Sequence, residues 1–527
     1  MTFDHIIVGA GSAGCALAAR LSENPARRVL LLEAGGGDRS PILTVPAGIV
    51  RAIGNPRYDW AHLAEPDASR GGKVDLWPAG KVLGGSSSIN GMLWVRGNHG
   101  DFDRWQAAGN PGWGWADVAP LFRRMEDYAG DGDCQWRGRL GPQRVEGLRT
   151  THPMARDFIA AAVAAGLPLN PDYNGETQDG VAAPQVSQQR GSRFSAASAY
   201  LAAARRRPNL RIVTRAEVRR VTFGGRWVTG VEWQRHGRVE RAAAPEVTLC
   251  AGALATPKLL MLSGIGDAAH LGEHGIAVLH HSPQVGRNLA EHPNANMSWD
   301  VRPRTYNVEI NGARAPFHAL NWLLFRRGPA TSPYPHAVAF FRTAPDLKVP
   351  DIQLMFGPFA FAFSPEGVVP YRKPAVTVVA ALNDPRTRGR LTLRSADPAA
   401  PPVIAHALLA EEADVARLTL ACRRVRTIFE QAALRADVIA ERLPGAGVER
   451  DDEWADYLRA TTFLGYHPCG TAIMGPEGVV DARLRVRGVE GLRVADASIM
   501  PSPVSGNTNA ASMMIGEKAA DLIAEQG

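Results

Sequence analysis

Cysteine is scarce in this sequence: five residues in 527, at Cys15, Cys134, Cys250, Cys422 and Cys469. The number is odd, the spacing is wide and no Cys-x-x-Cys occurs, which excludes a disulfide framework and a cysteine zinc site. No metal site is expected, and a reducing cytoplasm is the expected compartment. Long hydrophobic runs are missing as well. No apolar stretch approaches the roughly 18 residues that cross a bilayer, and no basic segment followed by an apolar one opens the chain, so neither a transmembrane segment nor a cleaved leader is expected. Lysine is rare, found only at Lys73, Lys81, Lys258, Lys348, Lys373 and Lys518. The cationic excess is small, 59 Lys and Arg against 52 Asp and Glu, and the densest cluster, Arg205 to Arg207, is stopped by Pro208. It reads as a solvated helix end, and no nucleic-acid partner is expected. With 45% hydrophobic and 21% charged residues and a mean hydropathy of −0.15, disorder and fibrous repeats are excluded too. What remains is a globular chain long enough for two or three structural units.

His5-Ile6-Ile7-Val8 is short, β-branched and ended by glycine, the pattern of a strand buried on both faces in a parallel sheet. Gly9-Ala10-Gly11-Ser12-Ala13-Gly14 follows, then Cys15 to Leu21 in a helical pattern, then Arg28 to Leu32 as a second strand running into Glu33 and Ala34. In such a turn the first glycine permits the bend, the second lets backbone approach a pyrophosphate and the third lets helix pack on strand. Phosphate rests on the helix N-terminus, and an acid about 20 residues on, here Glu33, accepts from ribose hydroxyls. The plain alternative is a tight strand-to-helix turn. With strand, helix, second strand and acid all present, dinucleotide binding is the reading, and Glu33 disfavours a 2′-phosphate. The motif by itself does not choose between NAD and FAD.

A second stretch, Gly80 to Gly97, crowds glycines, Ser86, Ser87, Ser88 and Asn90 between apolar flanks. Such a run makes no stable helix or strand interior and is expected inside, against a ligand, rather than as a polar surface loop. Gly80 to Asp103, Gly252 to Gly266 and Gly491 to Pro501, in that order, resemble the signatures of the glucose-methanol-choline (GMC) family of FAD-dependent oxidoreductases.

That resemblance implies an α/β fold: a Rossmann-like FAD-binding domain (1–151, 192–295 and 459–527) interleaved with an α+β substrate-binding cap (152–191 and 296–458) built on an antiparallel sheet. It implies that Gly9, Gly11, Ser12, Ala13, Gly14, Glu33 and Ala34 hold the ADP half and that Val218 meets the adenine through its backbone. Val82, Gly85 and Ser86 would line the cofactor, Asn90, Gly91, Met92 and Leu93 would lie along the isoalloxazine, and Asp496 and Ala497 would meet the ribityl and pyrophosphate. Ile89 stands where some of the family's choline oxidases carry a flavin-linked His, so FAD is expected to be non-covalent.

Alcohol oxidation needs a base for the hydroxyl proton and an acceptor for the hydride. Gly465-Tyr466-His467-Pro468-Cys469-Gly470 offers the base: Pro468 holds His467 extended, the glycines allow close approach, and an imidazole titrates near neutrality. Ser505-Gly506-Asn507-Thr508-Asn509 runs into the helical pattern that begins at Ala510; ordinary N-capping asks for the same residues, and a helix end aimed at the flavin would also stabilise its reduced charge. By resemblance His467 and Asn507 are the catalytic pair, with Thr508 and Asn509 near the ring. A primary alcohol, aromatic, furanic or aliphatic, would give up its proton to His467 and its hydride to flavin N5, with oxygen, a quinone or another acceptor as the oxidant.

Strands 375–380 and 389–394 read as neighbours in the cap sheet, and a helix over 411–432 is expected to cover its far face. Phe340, Phe341, Phe356, Phe359, Phe361 and Phe363 cluster in the cap, and Tyr466 and Phe356 are the expected substrate-pocket residues. His292, in Glu291-His292-Pro293, reads as structural. Choline oxidase resembles this chain but has a carboxylate where Asn294 stands, which weighs against choline. A choline dehydrogenase-like activity and a hydroxynitrile lyase with non-redox FAD are the alternatives.

Overall fold

The computed structural model describes residues 2–310, 313–364 and 367–525; the side chain of Phe363 lies outside the described part. β1 (His5–Val8) and β2 (Val29–Glu33) are buried at every position, as apolar strands covered on both faces must be. They form the middle of a five-stranded parallel sheet, ordered Leu210–Thr214, β2, β1, Glu246–Leu249, Leu492–Val494. α1 (Ser12–Leu21) starts directly after the glycine turn. It packs on the last helix, Asn509–Ala524, at van der Waals range of backbone: a Cβ on Gly516 would fall 2.3 Å from Ala13 O. Apolar residues of these elements, with Trp94, Trp105, Trp113 and Phe122, make the first core.

The second core belongs to a seven-stranded antiparallel sheet. Its order is Val438–Leu443, Pro293–Val301, Ala375–Leu382, Ile352–Gly357, Ala337–Phe341, Gly180–Ala182, with Phe463–Leu464 pairing the start of Pro293–Val301. Strand periodicity divides its residues between two faces. Ala295, Met297, Trp299, Leu354, Phe356, Val376, Val378 and Ala380 pack against the helices Pro153–Ala164 and Glu412–Phe429. The other face carries Asn294, Asn296, Ser298, Gln353, Met355, Thr377, Val379 and Ala381, in register across the three central strands. The helix expected over 411–432 is present and lies where it was expected.

The expected pairing of 375–380 with 389–394 is not made. The strand there, Arg390–Thr392, pairs instead with Val403–Ala405. Backbone bonds from Leu391 N to Gly286 O (2.6 Å) and between Gly389 and Leu289 (2.7 and 3.0 Å) draw the chain off the sheet. Leu391, Leu393, Ile404 and Leu408 therefore join the first core.

Candidate active site

The three glycines of the β1–α1 turn face three different constraints. Gly9 has φ +100° and a Cβ there would meet Cys250 O at 2.4 Å; at Gly14 it would meet Gly9 O at 1.9 Å. Gly11 alone opens outward, its nearest atom Cys250 O at 3.9 Å. Glu33 is buried and its two oxygens accept from Ala10 N (2.9 Å) and Gly35 N (2.8 Å); burial pushes its carboxyl up to about 7. Ala216 N reaches Glu33 O and Arg215 N reaches Gly35 O, which brings Val218, at a strand irregularity, beside the end of β2. The serine loop lies directly on the glycine turn. Gly84 N donates to Ala10 O at 2.8 Å, a Cβ on Gly85 would come within 2.6 Å of Gly11 Cα, and Val82 bridges Gly36. Ser87 and Ser88 are buried and Ser86 is exposed. Asp496 accepts from Gly252 N, Thr256 Oγ1 and Ser498 N, and Gly470 N donates to Ala497 O, which ties this turn to the loop of His467.

The N-termini of α1 and of Asn509–Ala524 meet where Ser12 Oγ donates to Asn509 Oδ1 at 2.7 Å. Thr508 precedes that helix without making a side-chain cap, and Asn509 Nδ2 is buried with no partner. Two helix ends, an open glycine and an unpaired buried donor fit a dianionic pyrophosphate. Deeper in, Asn90 Oδ1 accepts from Met92 N (3.0 Å) and from Arg193 Nη1 (2.7 Å), and Met92 adopts φ +62°. Arg193, which the sequence reading missed, is buried among neutral acceptors, and burial pushes its guanidinium down to about 9.

His467 is held from three sides. Its N–H donates to both oxygens of Glu291 (2.9 and 3.0 Å), its Nε2 lies 2.9 Å from Asn507 Nδ2 and its Nδ1 lies 3.0 Å from His292 Nδ1. Asn507 Oδ1 in turn accepts from Gln353 Nε2 at 3.2 Å. If Gln353 donates to Asn507, Asn507 donates to Nε2 of His467, which leaves Nδ1–H of His467 to donate to His292. His467 thus presents a lone pair at Nε2. Burial, then His292, lowers its pKa well below 6.5; burial lowers His292 to about 4 and raises Glu291 to about 8. Tyr466 sits beside it at φ +63°, partly exposed, and burial drives its hydroxyl pKa up.

A GMC oxidoreductase model matches residues 3–294 and a second, C-terminal one matches 385–516. The chain is 42% identical over 529 residues to an oxygen-dependent choline dehydrogenase of Sinorhizobium medicae (strain WSM419), covering 99% of this chain and 96% of that one. Among solved structures it is similar to pyridoxine 4-oxidase from Mesorbium loti (TM-score 0.90, 32% identity, 99% of each chain) and to a formate oxidase (TM-score 0.93, 29% identity, 100% and 98%). The chain belongs to the GMC oxidoreductase family. As a GMC enzyme it is an oxidoreductase of CH–OH donors with FAD as its cofactor.

One residue stands differently in this GMC fold from the sequence expectation. Phe356 does not face the site: it is 0% exposed and stacks on Phe158, ring centroids 4.7 Å apart, under the helices. Odd positions of Ile352–Gly357 face His467 and even ones face away, so Gln353 reaches Asn507 while Phe356 cannot. His292 is not only a loop residue, since its ring touches His467. The repeated His-Pro dipeptide at 292–293 and 467–468 was a signal for it; for Gln353 there was none. No helix among the described residues is long and apolar enough to cross a membrane.

Proposed function

We propose that this GMC oxidoreductase converts a primary alcohol to its aldehyde, with His467 accepting the hydroxyl proton at Nε2 and Asn507 donating to the substrate oxygen. The observation that carries this is the approach of His467 Nε2 and Asn507 Nδ2 to 2.9 Å, which puts a basic lone pair and an amide donor at one point. A desolvated imidazole stays neutral at neutral pH and so arrives in its base form. His292 orients it through Nδ1, Glu291 fixes its backbone, and Gln353 fixes the amide of Asn507. FAD, when bound, supplies the hydride acceptor. Its proposed holders are Gly9 to Gly14, Glu33, Ala34 and Val218 for the ADP half, with Val82, Gly85, Ser86, Asn90 to Leu93, Asp496, Ala497, Thr508 and Asn509 for the rest. Tyr466 borders the proposed substrate space. The second substrate is oxygen, a quinone or another electron acceptor, and the free cysteines suit a reducing compartment.

Choline is the second reading, favoured by the relative that carries its name. Mixing the yellow enzyme with alcohols under argon tests both. Primary alcohols are expected to bleach the flavin, and His467→Ala is expected to slow bleaching by a factor of about 10² to 10⁴ while the protein stays yellow. Unchanged bleaching would remove His467 from the reaction. Cyanide release from a hydroxynitrile without bleaching would show a lyase instead.

A further inference from the structure

On the face of the antiparallel sheet that leads away from the proposed catalytic pair, polar side chains with unpaired oxygens stand among the apolar Met355, Val379 and Ala381. Asn294, Asn296, Ser298, Gln353 and Thr377 are 0–5% exposed, yet each keeps a buried side-chain oxygen with no hydrogen-bond partner in the protein: Oδ1 of both asparagines, Oγ of Ser298, Oε1 of Gln353 and Oγ1 of Thr377. Buried polar atoms are paired as a rule, so five orphans on one face of three adjacent strands mark a built surface. Cross-strand register orders them in rows. Gln353 and Asn294 flank Ala381 in the row nearest the catalytic pair, Asn296 stands in the next beside Val379, and Ser298 lies opposite Thr377 in the third. At about 3.4 Å per residue the second and third rows lie roughly 7 and 14 Å along the strands from the first. Gln353 bonds Asn507 directly, so the rows begin at the reacting end.

We propose that the substrate is an uncharged alcohol bearing at least one further hydroxyl group remote from the carbinol that is oxidised, and that Asn296, with Ser298 and Thr377 beyond it, recognises that group. The inference rests on the alcohol-oxidation reading of the site. A hydroxyl both donates and accepts, so it satisfies an asparagine turned either way and a serine or threonine as well. An alkyl or aryl body offers no donor to these oxygens. A trimethylammonium group has no N–H, and positions 294–298, 353–357 and 377–381 present no charged side chain on this face to accompany a desolvated cation.

The test uses three chains of matched length: hexane-1,6-diol, hexan-1-ol and (5-hydroxypentyl)trimethylammonium. Each is mixed with the FAD-loaded enzyme under argon, kcat/KM for bleaching is measured, and binding to the oxidised enzyme is followed by calorimetry. The diol is expected to exceed each of the others by about tenfold, the worth of one buried hydrogen bond. In Asn296→Leu and Thr377→Val the ratio of diol to hexan-1-ol is expected to fall to about one. A ratio of one or less in the wild type, a preference for the ammonium alcohol, or a ratio unmoved in both variants overturns the proposal. If hexan-1-ol or the ammonium alcohol bleaches the flavin and the diol does not, alcohol oxidation stands and this inference falls; if no alcohol bleaches it, both fall. Should the variants fail to fold, the wild-type ranking alone decides.

Discussion

His467 lies between two neighbours whose own bonds dictate what it can do. With the amide nitrogen of Asn507 turned to Nε2, the tautomer of His467 that fits is the one that gives Nδ1–H to His292. In the proposed reaction His292 is therefore a positioning residue. His292→Leu, which leaves that N–H without an acceptor, is expected to slow flavin bleaching about tenfold at little change in KM; His292→Asn, which keeps an acceptor near the same place, is expected to recover most of the rate. The pH dependence follows from the direction of the shift. Because burial lowers His467 well below 6.5, the base form persists at and below that pH, and bleaching should stay level from neutrality down through 6.5 and decline only in more acidic solution. A limb centred at or above 6.5 would contradict this. His467 and Asn507 were legible in the sequence chiefly through the family resemblance, the glycines and Pro468 around His467 adding a local signal. Gln353 was not, since nothing on a strand announces what its side chain meets 154 positions away.

At the scale of the element, the β1–α1 turn separates folding from binding glycine by glycine. Gly11 has φ −77° and open space, so Gly11→Ala is expected to fold with an unchanged circular dichroism spectrum yet lose yellow colour, its methyl group occupying the pyrophosphate's approach. Gly14→Ala drives a carbon to 1.9 Å from Gly9 O and is expected to destabilise the domain by about 1–3 kcal/mol or more, seen in thermal unfolding. A Gly11→Ala protein that retains FAD would contradict the cradle. This element was readable from sequence because its constraints act between neighbours. The strand Arg390–Thr392 was not: the bonds that capture it come from Gly286 and Leu289, about 100 residues earlier. Phe356 shows the same limit, since alternation along a strand is visible in sequence but the choice of inner face is not.

Across the whole molecule, a buried ion network joins the serine-loop side to the segment around 172–185. Glu126 receives Arg137 Nη2 at 2.7 Å and Arg96 as well, and Arg137 continues to Asp172 (2.6 Å) and Gln185 (2.8 Å). Burial alone would raise Glu126, but Arg96 and Arg137 outweigh it and hold its carboxyl below its ordinary 4.5. A depressed carboxylate contributes stability above its unfolded value and loses it as pH falls through the folded one, so this contribution should disappear on acidification below 4.5. Glu126→Gln leaves two buried cations short of a counter-charge and is expected to cost about 3–5 kcal/mol in denaturant unfolding, and to remove that acid dependence. The sequence by itself determined the dinucleotide turn and the buried serine loop, because backbone sterics and helix-end dipoles are carried by contiguous residues, while FAD and the loops of the base and the amide came from its resemblance to the GMC signatures. Only the tertiary structure decided that His292 and Gln353 contact His467 and Asn507, that Phe356 turns away, and that five unpaired oxygens share one face. Those depend on strand register and on contacts between distant segments, which no local pattern specifies.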